Sequence, residues 1–315
     1  MQMEKTFTLA HLSDFHLFSQ HRVKARDLLN KRILGYLGWR LHRRSEHSPG
    51  VLEALLGDLQ ITRPDHIVVT GDLTHLALPA EFLDARNILH AIGLPSKITV
   101  IPGNHDTYVH SDWSNSFGVL ADFIISDEPY RDAAAGASRH SAFPSLRVRG
   151  AIALIGISSA RPSGPLSAVG TIGQEQLLEM EKILEEANKQ RLFRIILIHH
   201  PPVSGTVCWR KRLTDAEAFR SILRHRGVEL VLHGHTHLSS FRYVETPAGS
   251  VPAIGVPSAS ALGHKPRRRA RYHLYRLKKN PRGWEVAVSV RCYSQSSESF
   301  FEETKSNIFL PRPAV

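Results

Sequence analysis

Five short polar segments each follow a run of aliphatic residues, and all five carry groups able to hold a metal. Asp14 and His16 follow "TFTLAHLS", and Asp72 follows "IVVTG". Asn104, His105 and Asp106 follow "ITVIPG", His199 and His200 follow "RIILI", and His235 and His237 follow "LVLHG". Carboxylate oxygen, amide oxygen and imidazole nitrogen together suit Mn²⁺, Fe²⁺/Fe³⁺ or Zn²⁺. They form neither a thiolate zinc site nor an all-oxygen calcium site. The groups are too many for one ion. A carboxylate bridging two ions about 3.5–4 Å apart is the arrangement used for phosphate ester hydrolysis.

The aliphatic runs that precede these groups are four to six residues long and rich in Val, Ile and Leu, as buried strands are. "SPGVLEALLGDLQITRP" and "PAEFLDARNILHAIGLP" between them read as helices closed by proline, and "IGQEQLLEMEKILEEANKQ" is the clearest helix. Leu177, Met180, Ile183 and Leu184 share one of its faces. Alternating strands and helices predict an α/β sandwich. Ligand sites of open α/β sheets gather at the carboxyl ends of strands, so the five polar segments should converge on one rim. Gly71, Gly103 and Gly234 each precede a candidate ligand, where a glycine turn would aim the next side chain back across that rim. After His237 the pattern changes to strands and turns, which predicts a closing antiparallel section. Without an internal repeat or a low-complexity linker, residues 1–293 read as a single domain with a basic, aromatic insert at about 20–48, and 294–315 as a C-terminal tail whose end, "LPRPAV", reads as unstructured.

Taken singly, each polar segment is an ordinary turn or cap. The ordered set "DFH", "GDLTH", "GNHD", "HHPP" and "GHTH" resembles the calcineurin-like metallophosphoesterase superfamily, in particular its cyclic-nucleotide and glycerophosphodiester phosphodiesterases, and the likeness runs from residue 7 to about 290. The resemblance implies a four-layered αββα sandwich with a dinuclear centre. It implies that Asp14, His16, Asp72 and His237 hold one divalent ion, and that Asp72, Asn104, His199 and His235 hold the other, with Asp72 bridging. Mn²⁺ is the first expectation, with Fe²⁺/Fe³⁺ or Zn²⁺ as alternatives. His105, not a ligand in the family, would contact a phosphate oxygen or protonate the leaving alkoxide. Asp106 and His200 are then candidates for groups that orient metal-bound imidazoles. His11, His66, His75, His90 and His225 read as ordinary core or surface histidines.

Charge tells where this chemistry is used. The chain carries 40 basic and 29 acidic residues, a net charge of +11. Arg22–Arg44 and Lys265–Lys279 each hold eight Lys/Arg, and only Asp27 opposes them. Without those two stretches 24 basic face 28 acidic residues, a net of −4. Local basic excess of this kind suits phosphate-rich ligands or anionic lipid. Nucleic acid is not expected, because the patch Arg267–Arg271 lacks the aromatic spacing of a single-strand platform. Arg210, Lys211 and Arg212, close behind "HHPP", are candidates for contacting substrate phosphate, or else part of a solvated loop. The two cysteines, Cys208 and Cys292, match no disulfide or zinc framework. The N-terminal stretch lacks a signal-peptide core, and no apolar run approaches ~18 residues. A cytoplasmic protein, peripheral on the inner membrane, is the expectation.

That membrane placement rests on the insert. In "DLLNKRILGYLGWRLHRR" Ile33, Leu34, Leu37 and Leu41 share a helical face, though Arg40 and Arg44 intrude on it and Gly35 and Gly38 weaken a helix. Leu34, Tyr36, Leu37, Trp39, Arg40, Arg43 and Arg44 are the candidate membrane residues, the basic ones by snorkelling. The other reading is that the apolar residues dock the insert on the domain. The segment Asn30–Arg32 also resembles one in the metallophosphoesterases that cleave UDP-2,3-diacylglucosamine in lipid A synthesis. The expected function is hydrolysis of a phosphodiester or pyrophosphate, with that lipid-linked nucleotide sugar as leading substrate. A soluble 3',5'-cyclic-nucleotide or glycerophosphodiester phosphodiesterase is the alternative, and a non-catalytic interaction scaffold on the same fold is the alternative of another class.

Overall fold

The computed structural model describes residues 6–311 apart from 19–21, 44–45, 129, 131–141, 248 and 264. β1 (Phe7–Leu12), β2 (His66–Val69) and β3 (Ile98–Val100) lie parallel. On the other side of β1 the sheet continues with β10 (Arg271–Asn280), β11 (Gly283–Ser294) and β12 (Ser299–Pro311), in the order β12-β11-β10-β1-β2-β3. The second sheet joins β4 (Ser145–Arg149), β5 (Ile152–Gly156), β6 (Phe193–Leu197), β7 (Leu230–His233), β8 (Ser240–Thr246) and β9 (Gly249–Gly255) in the order β4-β5-β6-β7-β9-β8.

Side-chain alternation decides what each sheet faces. On β6, Phe193, Ile195 and Leu197 enter a core shared with the first sheet, while Ile196 turns to a second core. Leu230 and Leu232 of β7 divide from Val231 in the same way, as the two-residue period of a strand requires. The first core is closed by Val51, Leu55 and Leu59 of α2 (Pro49–Thr62) and by Phe82, Ala85 and Leu89 of α3 (Pro79–Ile92). Leu177, Met180 and Leu184 of α5 (Gln174–Lys189) and Phe219 and Leu223 of α6 (Ala216–Arg226) close the second. A short α4 (Ala121–Ile124) adds Phe123 and Ile124 to the first core. The result is the expected four-layered αββα sandwich, with the carboxyl ends of β1, β2, β3, β6 and β7 all leading into the polar segments.

One expectation needs correction. The stretch set aside as a tail contributes β12, which pairs antiparallel with β11 from Ser294↔Ser299 to Gly283↔Pro311. Only 312–315 of the proposed "LPRPAV" end lies outside the described residues.

The insert forms α1 (Arg32–Gly38) and a wider helical turn over Trp39–Arg43. It is clamped to the domain. The Arg32 guanidinium donates to the carbonyls of Leu76 (2.8 Å) and Ala77 (2.6 Å). Gly35 lets α1 approach closely, since a Cβ there would lie 2.6 Å from the Leu76 side chain and 3.0 Å from the Tyr108 hydroxyl. Trp39, expected at a membrane, is instead 8% exposed and packs on Phe18, ring centroids 4.3 Å apart. An indole that fills a slot in the domain cannot also lie in an interface. Tyr36 is half-buried, whereas Ile33, Leu34, Leu37 and Leu41 are 43–71% exposed. Arg40 is exposed, and Arg44 falls outside the described residues. Among the described residues no helix is long and apolar enough to cross a membrane.

Candidate metal centre

The five polar segments meet on one rim, and the backbone there is unusual. Asp14, His16, Asp72, His235 and His237 all have positive φ, between 47° and 70°. Non-glycine residues held so cost of order 1–3 kcal/mol each and persist only where their surroundings over-determine them. Here the surroundings do so: Asp14 N–H donates to Gly71 O and His16 N–H to Asp72 O, both at 2.9 Å, which carries the β1–β2 pairing past the strand ends. The three glycines act in two ways. Gly71 uses a φ of +94°. Gly103 and Gly234 make no left-handed turn and instead give room, since a Cβ on Gly103 would collide with Asp72, and one on Gly234 with Ser13 and Asp14.

Two groups of ligand atoms result, and Asp72 belongs to both. His16 Nε2 and His237 Nε2 are 3.0 Å apart, with Asp14 Oδ1 3.2 Å from His237 and 3.7 Å from His16. Asp72 Oδ2 lies 3.8 Å from His16 Nε2 and 3.4 Å from His199 Nε2. On that second side Asn104 Oδ1 is 3.2 Å from His199 Nε2 and 2.7 Å from His235 Nδ1, and those two nitrogens are 3.3 Å apart. Ligands about 2.1 Å from one ion in tetrahedral or octahedral geometry are about 3.0–3.4 Å from each other, so most of these spacings are those of a coordination shell. The other oxygen, Asp72 Oδ1, is occupied by the His105 N–H at 2.7 Å.

The chemistry of the atoms tests the fit independently. His199 Nδ1 donates to Thr70 O (2.6 Å) and His235 Nε2 to Lys211 O (3.0 Å). With a single proton on each ring, the second nitrogen turns a lone pair toward Asn104 Oδ1, itself an acceptor, so a further proton or a cation must lie between them. Asp14 Oδ1 is buried and accepts no hydrogen bond among the described residues. Burial alone would lower the His199 imidazole, but the Asp72 carboxylate outweighs it and holds the ring up to about 9. Burial likewise pushes Asp72 and Asp14 up, and the neighbouring histidines more than offset it, so both stay well below the usual carboxylate range. His16 and His235 are kept neutral, chiefly by burial. A cluster of buried lone pairs held together by a proton is one that divalent cations fit, since metal binding displaces such protons.

The remaining expected residues divide. His105 lines the same cavity and its Nδ1 donates to His75 O (2.8 Å), which fixes the tautomer. Asp106 orients no imidazole. Its carboxylate accepts from Thr74 N and Oγ1 (2.8 and 3.0 Å) and from Gly103 N (2.9 Å), which ties two rim loops together. His200 also bonds no ligand ring. It contacts Ser159 Oγ (2.8 Å) and Ala168 O (3.1 Å), and its ring packs against His235 at 4.5 Å. The orienting role expected of these two side chains falls to the carbonyls of Thr70 and Lys211. Arg210 and Lys211 line the cavity, whereas Arg212 lies over the Trp209 ring (5.6 Å) and donates to Trp209 O. Sequence reasoning missed His75, which lines the cavity and stacks on His105 at 5.2 Å, and also Lys31, Tyr108 and Arg268. His75 stands inside "GDLTH", the one local signal that pointed to it.

The cavity measures about 610 Å³. Its floor is the metal rim, one wall is the insert through Leu34, Gly35 and Gly38 of α1 and Trp39 of the turn after it, and the facing wall is the 163–168 loop with Arg210 and Lys211.

Comparison with known proteins agrees with this architecture. The profile of the calcineurin-like phosphoesterase family matches residues 7–239. A glycerophosphodiester phosphodiesterase, GpdQ, of Enterobacter lignolyticus is 34% identical over 98 residues, 31% of this chain and 29% of that protein, so the matched part spans less than a third of that relative. A probable cyclic nucleotide phosphodiesterase of Synechococcus is 27% identical over 210 residues, 64% of this chain and 70% of that one. The crystal structure of a dimetal phosphatase from Danio rerio has the same fold, with a TM-score of 0.60 over 96% of this chain and 99% of that one at 14% identity. The chain belongs to the calcineurin-like phosphoesterase family.

Proposed function

We propose that this member of the calcineurin-like phosphoesterase family is a dinuclear-metal hydrolase of a phosphodiester or pyrophosphate, and that its substrate has an apolar part. Asp14, His16, Asp72 and His237 would hold one ion, and Asp72, Asn104, His199 and His235 the other. The observation that carries this reading is Asp72 Oδ2, which faces both ligand groups within 3.8 Å. Bound divalent ions would polarise phosphoryl oxygens and bring the pKa of water to roughly 7.

The chain's own residues do the rest. His105 keeps a proton on Nδ1 through His75 O, so Nε2 is the atom that would contact a phosphate oxygen or, in the imidazolium form, protonate the leaving alkoxide. Leu34 and Trp39 exclude water from one wall of the cavity. Arg210 and Lys211 stand ready for substrate anions on the other.

The leading substrate is the lipid-linked UDP-2,3-diacylglucosamine, met at an anionic membrane surface, with Mn²⁺ as the first metal to test. Support comes from the half-exposed Ile33, Leu34 and Leu37 and the exposed Leu41, which extend the apolar wall outward beside a cavity with basic borders. The second reading, a cyclic-nucleotide or glycerophosphodiester phosphodiesterase, is supported by the names of the relatives. Assay of the three substrate classes with Mn²⁺, Fe²⁺ and Zn²⁺ tests both. Turnover of the lipid pyrophosphate is expected, and turnover confined to cyclic nucleotides or glycerophosphodiesters would remove it from consideration. A scaffold role is tested in cells, where a His199→Ala protein that kept full biological activity would favour it over catalysis.

A further inference from the structure

Beyond the metal rim, the cavity border is strongly cationic. Lys31 comes from the insert, immediately before α1, Arg210 and Lys211 from the loop after β6, and Arg268 from the basic stretch between β9 and β10. Among the described residues one carboxylate, Glu46, stands against these four cations on the border, if the candidate ligand Asp72 is set aside. Three segments far apart in the chain therefore bring positive charge to one opening. A phosphodiester carries one negative charge, at the phosphorus that the rim addresses. An excess of about three further charges around the rim has nothing to neutralise in such a substrate.

Two of these cations, Lys31 and Arg210, are held at the charged group, and Lys211 is anchored through its backbone. Lys31 Nζ donates to Ser163 O (2.8 Å) and Ser163 Oγ (3.3 Å) and lies 4.5 Å over the Tyr108 ring, so its charge is fixed across the mouth from α1 to the 163–168 loop. An ammonium has three N–H groups, which leaves it one for a ligand. Lys211 is tied to the rim through its own carbonyl, the acceptor of His235 Nε2. Arg210 rests against the Trp209 ring at 5.8 Å. Held charges cost less ordering on binding than free ones.

We propose that Lys31, Arg210, Lys211 and Arg268 form a second anion subsite, so that the substrate carries a second phosphate, or an equivalent anion, beside the scissile phosphoester. This deepens the hydrolase reading and rests on it. A pyrophosphate diester meets the requirement, whereas a cyclic nucleotide or a glycerophosphodiester has a single phosphate. The same phosphate chemistry is offered by a lipid headgroup, and the experiment separates the two sources.

Isothermal titration of the Mn²⁺-loaded protein with UMP and with α,β-methylene-UDP compares ligands that differ by one phosphorus group and resist cleavage between the two. The second ligand is expected to bind at least tenfold tighter. Arg268→Ala and Lys31→Ala are each expected to remove about tenfold of its affinity, the scale of one charge-assisted contact, and much less of the affinity for UMP. Arg268 is exposed, so its loss should leave the thermal transition in place, and Arg268→Lys should keep part of the effect. Equal binding of the two ligands by wild-type protein overturns the proposal, as does an equal loss for both in the variants. Flotation with phosphatidylglycerol vesicles is the second arm. If Arg268→Ala abolished flotation but kept α,β-methylene-UDP affinity, the cations would serve a membrane and the subsite would be refuted. Turnover of bis(p-nitrophenyl) phosphate is measured separately, because its absence would sink the hydrolase reading while calorimetry still judges the subsite.

Discussion

The metal rim and the insert face each other across one cavity and are built by opposite rules. On the rim the candidate ligands are mostly buried, five of them take positive φ, and backbone hydrogen bonds cross between neighbouring loops. The insert has one short helix with two glycines, half-exposed leucines and a few fixed points: Arg32 on two carbonyls, Lys31 on Ser163, and Trp39 on Phe18. The rim is over-determined, so small changes there should be severe for every substrate. The insert is under-determined, so changes there should be graded and should depend on the substrate.

The largest effect should follow from emptying the shared position. Asp72→Ala removes the oxygen that faces both ligand groups. Loss of a several-kcal/mol contribution predicts a fall of about 10³-fold or more in kcat/KM for bis(p-nitrophenyl) phosphate and for the natural substrate alike. Metal analysis should show fewer than two ions per chain. A variant with full metal content and activity would mean that the rim is less tightly specified than it looks. Gly103→Ala is the next step down. Its methyl group would enter the space of the Asp72 carboxylate, so metal affinity should fall by about 10–100-fold, the range for disturbing what supports a ligand. Glycine in a rim loop with an ordinary φ would otherwise tolerate alanine, and unchanged metal titration would show that the loop gives way.

On the insert, Leu37→Ser with Leu41→Ser removes two exposed apolar side chains that do not line the cavity. Two side chains of about 1.5–3 kcal/mol each when fully buried would, if half inserted, weaken flotation with anionic vesicles by about tenfold or more. The effect on a water-soluble diester should be far smaller. Equal loss on both readouts would erase the contrast between rim and insert.

The same contrast explains what could be read in advance. The rim was legible because each ligand sits directly after a strand, and a strand followed by a polar turn is a local signal. The four layers followed from strand–helix alternation. What escaped depends on distant partners. The role of Gly103 is set by Asp72 and that of Gly234 by Ser13 and Asp14, so turn chemistry described them wrongly. Arg268 and Lys31 reach the cavity from segments more than 200 residues apart, and no spacing rule links them. Trp39 resembled a membrane anchor by composition, but the slot that buries it is formed with Phe18. β12 is exposed on both faces over most of its length, so it lacks apolar alternation and is defined by its hydrogen bonds to β11.

The smallest effect sharpens the comparison through acid. Beneath the rim, the strands bury histidines that bind no ligand group. His66 is bonded to Thr99 Oγ1 at 2.8 Å and is pulled down to about 2, first by burial and then by Arg149 and Arg147. His273 is pulled down to about 3 by burial and Arg271. Both stay neutral in the folded protein at pH 5, whereas the unfolded chain takes up protons as pH falls through 6.5. Unfolding then binds protons, and stability must drop with falling pH by up to about 1.4 kcal/mol per pH unit for each histidine. The melting temperature of the metal-free protein should therefore fall by several degrees between pH 7 and pH 5. Asn substitution at His66 would leave no group to titrate there, so His66→Asn should flatten part of that slope even if it lowers the melting temperature at pH 7. Leu37 is exposed on the insert and is remote in sequence from both His66 and His273, so Leu37→Ser should leave the slope unchanged. A slope that followed the insert variant and not His66→Asn would place the acid-sensitive element on the wrong side of the cavity.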